Sequence, residues 1–298
     1  MTTCRPPGTS TGPRPELAAS FQHAGVVEAY RYRPPYPAEV FDVLEGLLRD
    51  EPAHVLDLGA GEGALARPLI ARGRVAGVDA VDASAAMIAA GRERPGGGHP
   101  GLRWLLGGVD EVALAGPYGL ATAGASVHWM PWEQTMARLR EVLSEQGLFA
   151  IIEHGYHRLP WSDDVAQVLA RHSRNPGFDP RYDAADELAA RGLFRKLGAH
   201  RTLPVPFRQS VADYVEQFHS TASLARELMA ADEAAEFDEA VARVVRRHAV
   251  DGVLTVDIVA TLVWGEPTEP TATATETKTP TETPTATTPA TARDGARA

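Results

Sequence analysis

The run Val55-Leu56-Asp57-Leu58-Gly59-Ala60-Gly61-Glu62-Gly63 sets glycines at alternate positions among two carboxylates, directly after an apolar stretch. Such glycines let the backbone turn sharply and let a ligand approach it with no side chain in between. Gly59, Gly61 and Ala64 also satisfy the loose Gly-x-Gly-x-x-Gly/Ala spacing of dinucleotide sites, so the glycines alone do not choose the ligand. The carboxylates separate the choices better. Asp57 at a strand end and Glu62 inside the loop would repel a pyrophosphate, yet they suit a ligand carrying an ammonium and a sulfonium. Three further groups could move or orient a proton: His128 after a later apolar run, and the adjacent Glu153 and His154. Metal chemistry has little support, because His154 and His157 have no matching carboxylate set.

S-adenosylmethionine is a ligand of that charge pattern, and here the sequence resembles the class I S-adenosylmethionine-dependent methyltransferases, in particular their small-molecule type 11 group. The first motif of the family matches at Asp57, Gly59, Gly61 and Gly63, with Ala60 between them. The acidic residue after the second strand matches in Val81-Asp82-Ala83-Ser84-Ala85-Ala86-Met87. The resemblance implies that Asp82 holds the ribose hydroxyls, with Ala83 and Met87 beside it; a carboxylate has the acceptor oxygens for a diol. Asp79 is a rival, and Asp82 is preferred because its pattern runs directly into a helix.

Gly108-Val109-Asp110-Glu111 resembles the family segment that holds the adenine edge, with Asp110 and Glu111 competing for the acidic role. Thr122-Ala123-Gly124-Ala125-Ser126-Val127-His128-Trp129 resembles the strand-four end that lines both the methionine part and the acceptor pocket; Ala125 and Ser126 are its cofactor residues, and His128 is expected to face the Gly59–Gly63 loop. Tyr30-Arg31-Tyr32-Arg33-Pro34-Pro35-Tyr36-Pro37 resembles a segment folded over the cofactor, from which Arg33 could fork onto the methionine carboxylate while Tyr30 or Tyr36 covers the site.

The implied reaction is an in-line displacement of a methyl group, so positioning dominates and a base is optional. His128 is the first choice for that base; Glu153 could orient an acceptor and His154 could serve as base. Trp129 and Trp161 are the aromatics best placed for an acceptor pocket. The implied acceptor is a small molecule. Keeping the cofactor for another reaction, such as a cyclisation, is the alternative enzyme reading, and a non-catalytic cofactor-binding partner is another; a nicotinamide oxidoreductase is more distant.

Elements that could position these residues alternate along the chain. Val40, Phe41, Val43, Leu44, Leu47 and Leu48 form one helical stripe after Pro37, and short apolar strands are expected at His54–Leu58, Val75–Val81, Leu102–Leu106, Leu120–Val127 and Leu148–Glu153. Helices fall between them at Leu65–Arg72, Ser84–Arg94 and Glu133–Glu145. This predicts an α/β, doubly wound, mostly parallel sheet, seven-stranded in the family, with sites at the carboxyl ends of its strands. Two helices, Val165–His172 and Ala184–Arg191, predict a cap insertion at about 156–200; Ser210 and Asp213 open a helical elaboration at about 210–250, and Gly252–Trp264 is the last strand.

Residues 1–20 and the Thr/Pro-rich 267–298 are expected to be a disordered leader and tail flanking one domain at 21–266. A net charge of −10 and the absence of a basic cluster argue against nucleic acid, and no apolar run is long enough for a membrane span. A lone Cys4 disfavours disulfides and a core cysteine nucleophile, and the expected location is cytoplasmic, as a monomer or homodimer.

Overall fold

Four of the five residues of β1 (His54–Leu58) are buried, as expected of a central parallel strand covered on both faces. The computed structural model describes residues 15–175 and 182–269. Parallel strands β2 (Gly77–Asp82), β3 (Leu102–Leu106), β4 (Tyr118–Gly124) and β5 (Leu143–His157) surround β1 in the order β3-β2-β1-β4-β5. The long β8 (Val253–Pro267) runs antiparallel beside β5. Its far side is filled by two successive strands: β6 (Phe194–Arg201) pairs with residues 261–267 and β7 (Val205–Ser210) with residues 253–258. The sheet is thus seven positions wide, the outermost position being shared by β6 and β7.

Alternation assigns each strand side chain to a layer. Val55, Val78, Leu120, Ile152 and Leu262 pack under α3 (Ala38–Leu47) and α4 (Ala66–Ala71), where the buried stripe is Val40, Phe41, Leu44 and Leu47. Leu56, Leu58, Ala121, Phe149 and Ile151 face α6 (Trp132–Val142) and α8 (Ala184–Ala190). A third core joins α7 (Ser162–His172), α9 (Val211–Glu216) and α10 (Ala231–Arg246) over Leu254 and Val256 of β8. As its sequence predicts, Ser210 caps α9, accepting from the Asp213 N–H at 3.0 Å.

The expected insertion at 156–200 is corrected in part. It includes β6, which belongs to the sheet, and α8, which covers the sheet face as an ordinary crossover helix; only α7 joins the separate helical layer. The boundary at residue 20 also moves. α1 (Pro15–Ala18) and a 3₁₀ turn at Ala19–Gln22 fold onto the domain, burying Leu17 and Ser20, whose hydroxyl donates to the Ala222 carbonyl at 3.1 Å. α2 (Ala24–Ala29) and the 3₁₀ turn Tyr30–Tyr32 complete this N-terminal strap. Residues 1–14 and the tail from 270 lie outside the described residues. Residues 267–269 are anchored: Thr268 donates to the Leu193 and Gly192 carbonyls.

Among the described residues, no helix is long and apolar enough to cross a membrane.

Candidate active site

β1 and β4 are neighbours whose following chains diverge, and a crevice opens at their carboxyl ends. Gly59 and Gly61 turn the chain there with φ of +62° and +56°, values that disfavour a β-carbon. A Cβ on Gly59 would stand 2.6 Å from that of Ser126, whereas Gly61 faces open space. The loop is held from the next strand: the Gly61 N–H donates to Asp82 Oδ2 and the Ser84 N–H to Oδ1, each at 2.7 Å. Ser84 then caps α5 (Ala85–Glu93) through the Met87 N–H. Each Asp82 oxygen retains a lone pair for a diol. Burial raises the Asp82 carboxyl above its ordinary value, and these two N–H donors oppose the rise.

A cleft runs from this loop along the ends of β2, β3 and β4. Gly59, Gly61, Asp82, Ala83 and Met87 line one side of it, and Gly108, Val109, Asp110, Ala125 and Ser126 another. The rival acidic residues are placed differently. Asp79 lies away from the cleft, bonded to Arg103 at 2.8 Å and to the Tyr118 hydroxyl, while Asp110 lines the cleft and Glu111 turns toward the Gly108 N–H at 3.5 Å. The strap closes the cleft from above: Gln22 donates to the Ala83 carbonyl at 2.9 Å, Ser84 to the Phe21 carbonyl at 2.7 Å, and Phe21 meets Trp129 edge-on at 5.5 Å. Sequence reasoning did not single out Phe21 and Gln22, since nothing local marks them as lining a cleft.

A second chamber adjoins the first across Gly59, Gly61, Gly124 and Ala125. Arg33, Tyr36, Asp57, Ala60, His154 and Phe207 contribute to its wall. Asp57 is 1% exposed; its Oδ1 accepts from the Thr122 hydroxyl at 2.8 Å, while Oδ2 has no partner among the described residues. Burial pushes its carboxyl up to about 7, opposed by the Thr122 hydroxyl and the Ala66 N–H and helped by the Asp82 charge. His154 Nε2 lies 3.0 Å from the Pro34 carbonyl, which can only accept; Nε2 therefore carries the proton and Nδ1 is a buried, unpartnered lone pair. Burial, then the positive charge of Arg33, lowers the His154 pKa to about 4, so the ring is neutral.

Other expected residues are placed differently. His128 does not line the glycine-loop cleft. It sits on a 3₁₀ turn, Val127–Trp129, where successive side chains diverge by about 120°; Val127 is buried and Trp129 is given to the cleft, while the His128 ring packs at 4.9 Å against Trp129, tilted by 49°, within the field of Arg33. Burial and Arg33 hold His128 at about 4. Glu153 points to the opposite sheet face from His154. It is open to solvent yet ringed by protein, which, with Asp183 adding and Arg33 opposing, raises its carboxyl to about 7.

Gly63, at a φ of +79°, lies outside both chambers, and a Cβ there would meet Trp104 at 2.6 Å. Glu62 does not present a free charge: Oε2 takes two bonds from Arg94 at 3.0 and 2.8 Å, and Arg67 stands 3.7 Å from Oε1. Trp161 is core, donating to the Tyr214 hydroxyl at 3.0 Å. Arg33 is bound to Ser220, a partner 187 residues away that no local sequence signal marks.

An orphaned carboxylate oxygen, a diol-accepting carboxylate and a glycine turn open to ligand form a donor and acceptor set that fits S-adenosylmethionine. Residues 55–147 match the family model described as a methyltransferase domain. A malonyl-[acyl-carrier protein] O-methyltransferase of Halalkalibacterium halodurans is 29% identical over 58% of this chain and 65% of its own length. A trans-aconitate 2-methyltransferase of Deinococcus radiodurans is 36% identical over 39% of this chain and 46% of its own. The chain spans less than two thirds of either relative. Among solved structures, a protein from Anaeromyxobacter dehalogenans described as a type II methyltransferase superposes with a TM-score of 0.56 at 22% identity, covering 80% of this chain and 99% of that one. The chain shares its fold with that structure, and the segment that carries the glycine loop is the part that matches the methyltransferase domain model.

Proposed function

We propose that this protein transfers a methyl group from S-adenosylmethionine to a small-molecule acceptor. The observation that carries this reading is the pair of chambers meeting at Gly59, Gly61, Gly124 and Ala125, one walled by Asp82 and the other open for a second molecule. A non-catalytic cofactor binder would not need that second space, so the open chamber favours turnover.

When bound, the cofactor supplies an electrophilic methyl group on a sulfonium. Asp82 would hold the ribose, Gly108–Asp110 the adenine edge, and the Asp57 side of the glycine loop the ammonium. The chain's own contribution is then alignment. Phe21, Trp129 and the strap exclude water over the first chamber, and the strand ends fix the approach from the second. One neutral histidine lines the second chamber, His154 with a lone pair on Nδ1, and it can take a proton from an acceptor that must lose one. The protein acts in the cytoplasm as a monomer or homodimer.

Calorimetric titration of the purified chain with S-adenosylmethionine and S-adenosylhomocysteine, with reduced nicotinamide dinucleotide as control, tests the cofactor assignment. Saturable binding of the first two alone is expected. A folded sample that binds neither overturns the reading.

A further inference from the structure

The N-terminal strap is anchored at several points on one stretch of chain. Ser20 Oγ donates to the Ala222 carbonyl at 3.1 Å and the Gly25 N–H to Glu227 Oε1 at 2.9 Å; directly after the strap, Arg33 donates to the Ser220 hydroxyl and carbonyl at 2.6 and 3.0 Å. Val26 packs with Ala225 and with Met87 of α5, all three buried. The anchors Ser220, Ala222, Ala225 and Glu227 belong to the link between α9 and α10, which holds only the 3₁₀ turns Gln217–Ser220 and Arg226–Leu228. Phe21, Gln22, Tyr30 and Met87 line the first chamber, so the position of this link governs how that chamber is covered.

A buried histidine ties the link down. His219 is 1% exposed, and both of its ring nitrogens face acceptors. Nδ1 lies 2.8 Å from the Leu224 carbonyl, within the link, and Nε2 lies 2.7 Å from Asp238 Oδ1 on α10. A carbonyl only accepts, so Nδ1 carries a proton. Asp238 is ionised: burial would raise its carboxyl, but the hydrogen bonds and charges of His219 and Arg226 hold it below its ordinary value. A carboxylate also only accepts, so Nε2 carries the second proton and the ring is an imidazolium. Arg174 braces the outer side of the link on the Leu228 carbonyl at 3.1 Å, whereas His219 ties its middle, at Leu224, to α10.

Charged groups surround this ring. Asp238 comes from α10; Arg226, in the link itself, donates to Asp238 Oδ2 at 2.8 Å and to Glu216 Oε2 of α9 at 2.6 Å; Arg33 is bound to the next residue, Ser220. His172 of α7 shares the Phe237 ring with His219, at 5.5 and 5.3 Å. We propose that His219 is a positioning residue for the first chamber: as a doubly protonated ring it fixes the link on which the strap docks, so that retention of the cofactor depends on its second proton. The cofactor part rests on the methyltransferase reading above; the docking of the strap does not. When the second proton leaves, the Nε2 lone pair faces the Asp238 carboxylate, acceptor against acceptor, and the tie to α10 is lost. The contribution is therefore present at low pH and disappears as pH rises.

Asp238→Asn separates this proton from every other. Its amide nitrogen can donate to Nε2 of a neutral His219 while its oxygen still accepts from Arg226, so the tie survives without the second proton; Asp238→Ala offers neither group. Three readouts on the full chain test this: nitrogen resonances of the labelled histidines, amide hydrogen exchange of residues 15–32 without ligand and corrected for the intrinsic effect of pH, and stopped-flow release of S-adenosylhomocysteine. In the wild type both His219 ring nitrogens are expected to be protonated at about pH 6, and raising the pH to about 9 should speed strap exchange and cofactor release by about fivefold or more. Asp238→Asn should carry a proton on Nδ1 alone and keep slow exchange and release at both pH values. Asp238→Ala should be fast at both. Any pH dependence that remains in Asp238→Asn belongs to other groups, Asp57 among them. His219→Gln, which does not titrate, covers the case in which the Asp238 variants do not fold, and it should lose the same pH dependence.

A neutral His219 ring in the wild type at the lower pH overturns the proposal, as does a pH profile that Asp238→Asn shares in full. So does Asp238→Ala with a lowered melting temperature but wild-type strap exchange and release, since His219 and Asp238 then serve the core alone. A strap that loosens with no change in release overturns the link to cofactor retention. Failure of the wild-type chain to bind S-adenosylhomocysteine at all is a separate outcome: it refutes the underlying methyltransferase reading, while hydrogen exchange still decides whether His219 positions the strap.

Discussion

The bare Cα of Gly124 faces the hydroxyl of Tyr36: a Cβ at Gly124 would stand 2.4 Å from that oxygen and 2.8 Å from Leu65 Cδ1. The end of β4 therefore lacks a side chain where the segment between the strap and α3 delivers a phenol to the wall between the chambers. Gly124→Ala is expected to cost about 1–3 kcal/mol by overpacking, read as a lowered denaturation midpoint. Because the added methyl chiefly meets the phenol oxygen, combining it with Tyr36→Phe should recover part of the loss. Strict additivity of the two changes would show that the oxygen is not what the methyl meets.

Asp82 organises the cofactor cleft through two backbone donors, Gly61 and Ser84, each at 2.7 Å. Asp82→Ala frees both, and hydrogen bonds to a charged group contribute about 1.5–3 kcal/mol each. Affinity for S-adenosylhomocysteine should fall by at least about tenfold. Asp79→Ala should leave it unchanged, because Asp79 serves Arg103 and Tyr118 instead. Equal losses in the two variants would mean that the effect is on strand β2 as a whole.

That these residues meet at one cleft was legible in the sequence because their turns and hydrogen bonds are local. Gly59 and Gly61 are marked by the turn they must make, and Asp82 and Ser84 by the helix they open, all within a few residues of one another. The strands of the outer edge were not legible. β6 reads Phe-Arg-Lys-Leu-Gly-Ala-His-Arg and buries only Phe194, so no alternating apolar face announces it, and β7 contains Pro206. Ser220 was invisible for a different reason: its meaning comes from Arg33, which folding brings from the far end of the chain. His128 is directed elsewhere because β4, expected to run to Val127, ends at Gly124 and a 3₁₀ turn follows.

Asp57 gives the fold a signed pH dependence. Its carboxyl has a pKa of about 7 in the folded protein against 3.8 as its ordinary value, chiefly through burial. The folded state thus holds this proton more tightly than the unfolded chain. Its contribution to stability is complete below the unfolded value and is lost as pH rises through the folded one. Stability should decline from about pH 4 to about pH 7 more steeply in the wild type than in Asp57→Asn, with a difference on the order of 2 kcal/mol. Chemical denaturation at several pH values measures this. Parallel profiles would show that Asp57 is charged in the folded protein throughout.

The strap over the first chamber should govern how fast the cofactor leaves. Ser20 ties it to Ala222, Phe21 presses it on Trp129, and Gln22 bonds to Ala83 beside Asp82. Phe21→Ala removes the aromatic contact, about 0.5–1.5 kcal/mol beyond the burial itself, from an element that must move aside for exchange. Dissociation of S-adenosylhomocysteine is therefore expected to accelerate by about fivefold or more, with a smaller change in association. Trp161→Phe is the matched control: it disturbs the α7–α10 core through the lost bond to Tyr214 and should lower the melting temperature while leaving the dissociation rate alone. Stopped-flow displacement separates the two. If Phe21→Ala releases the cofactor at the wild-type rate, the strap is only a brace between α5 and the Ser220–Ala222 segment, and access to the cleft must run through the second chamber.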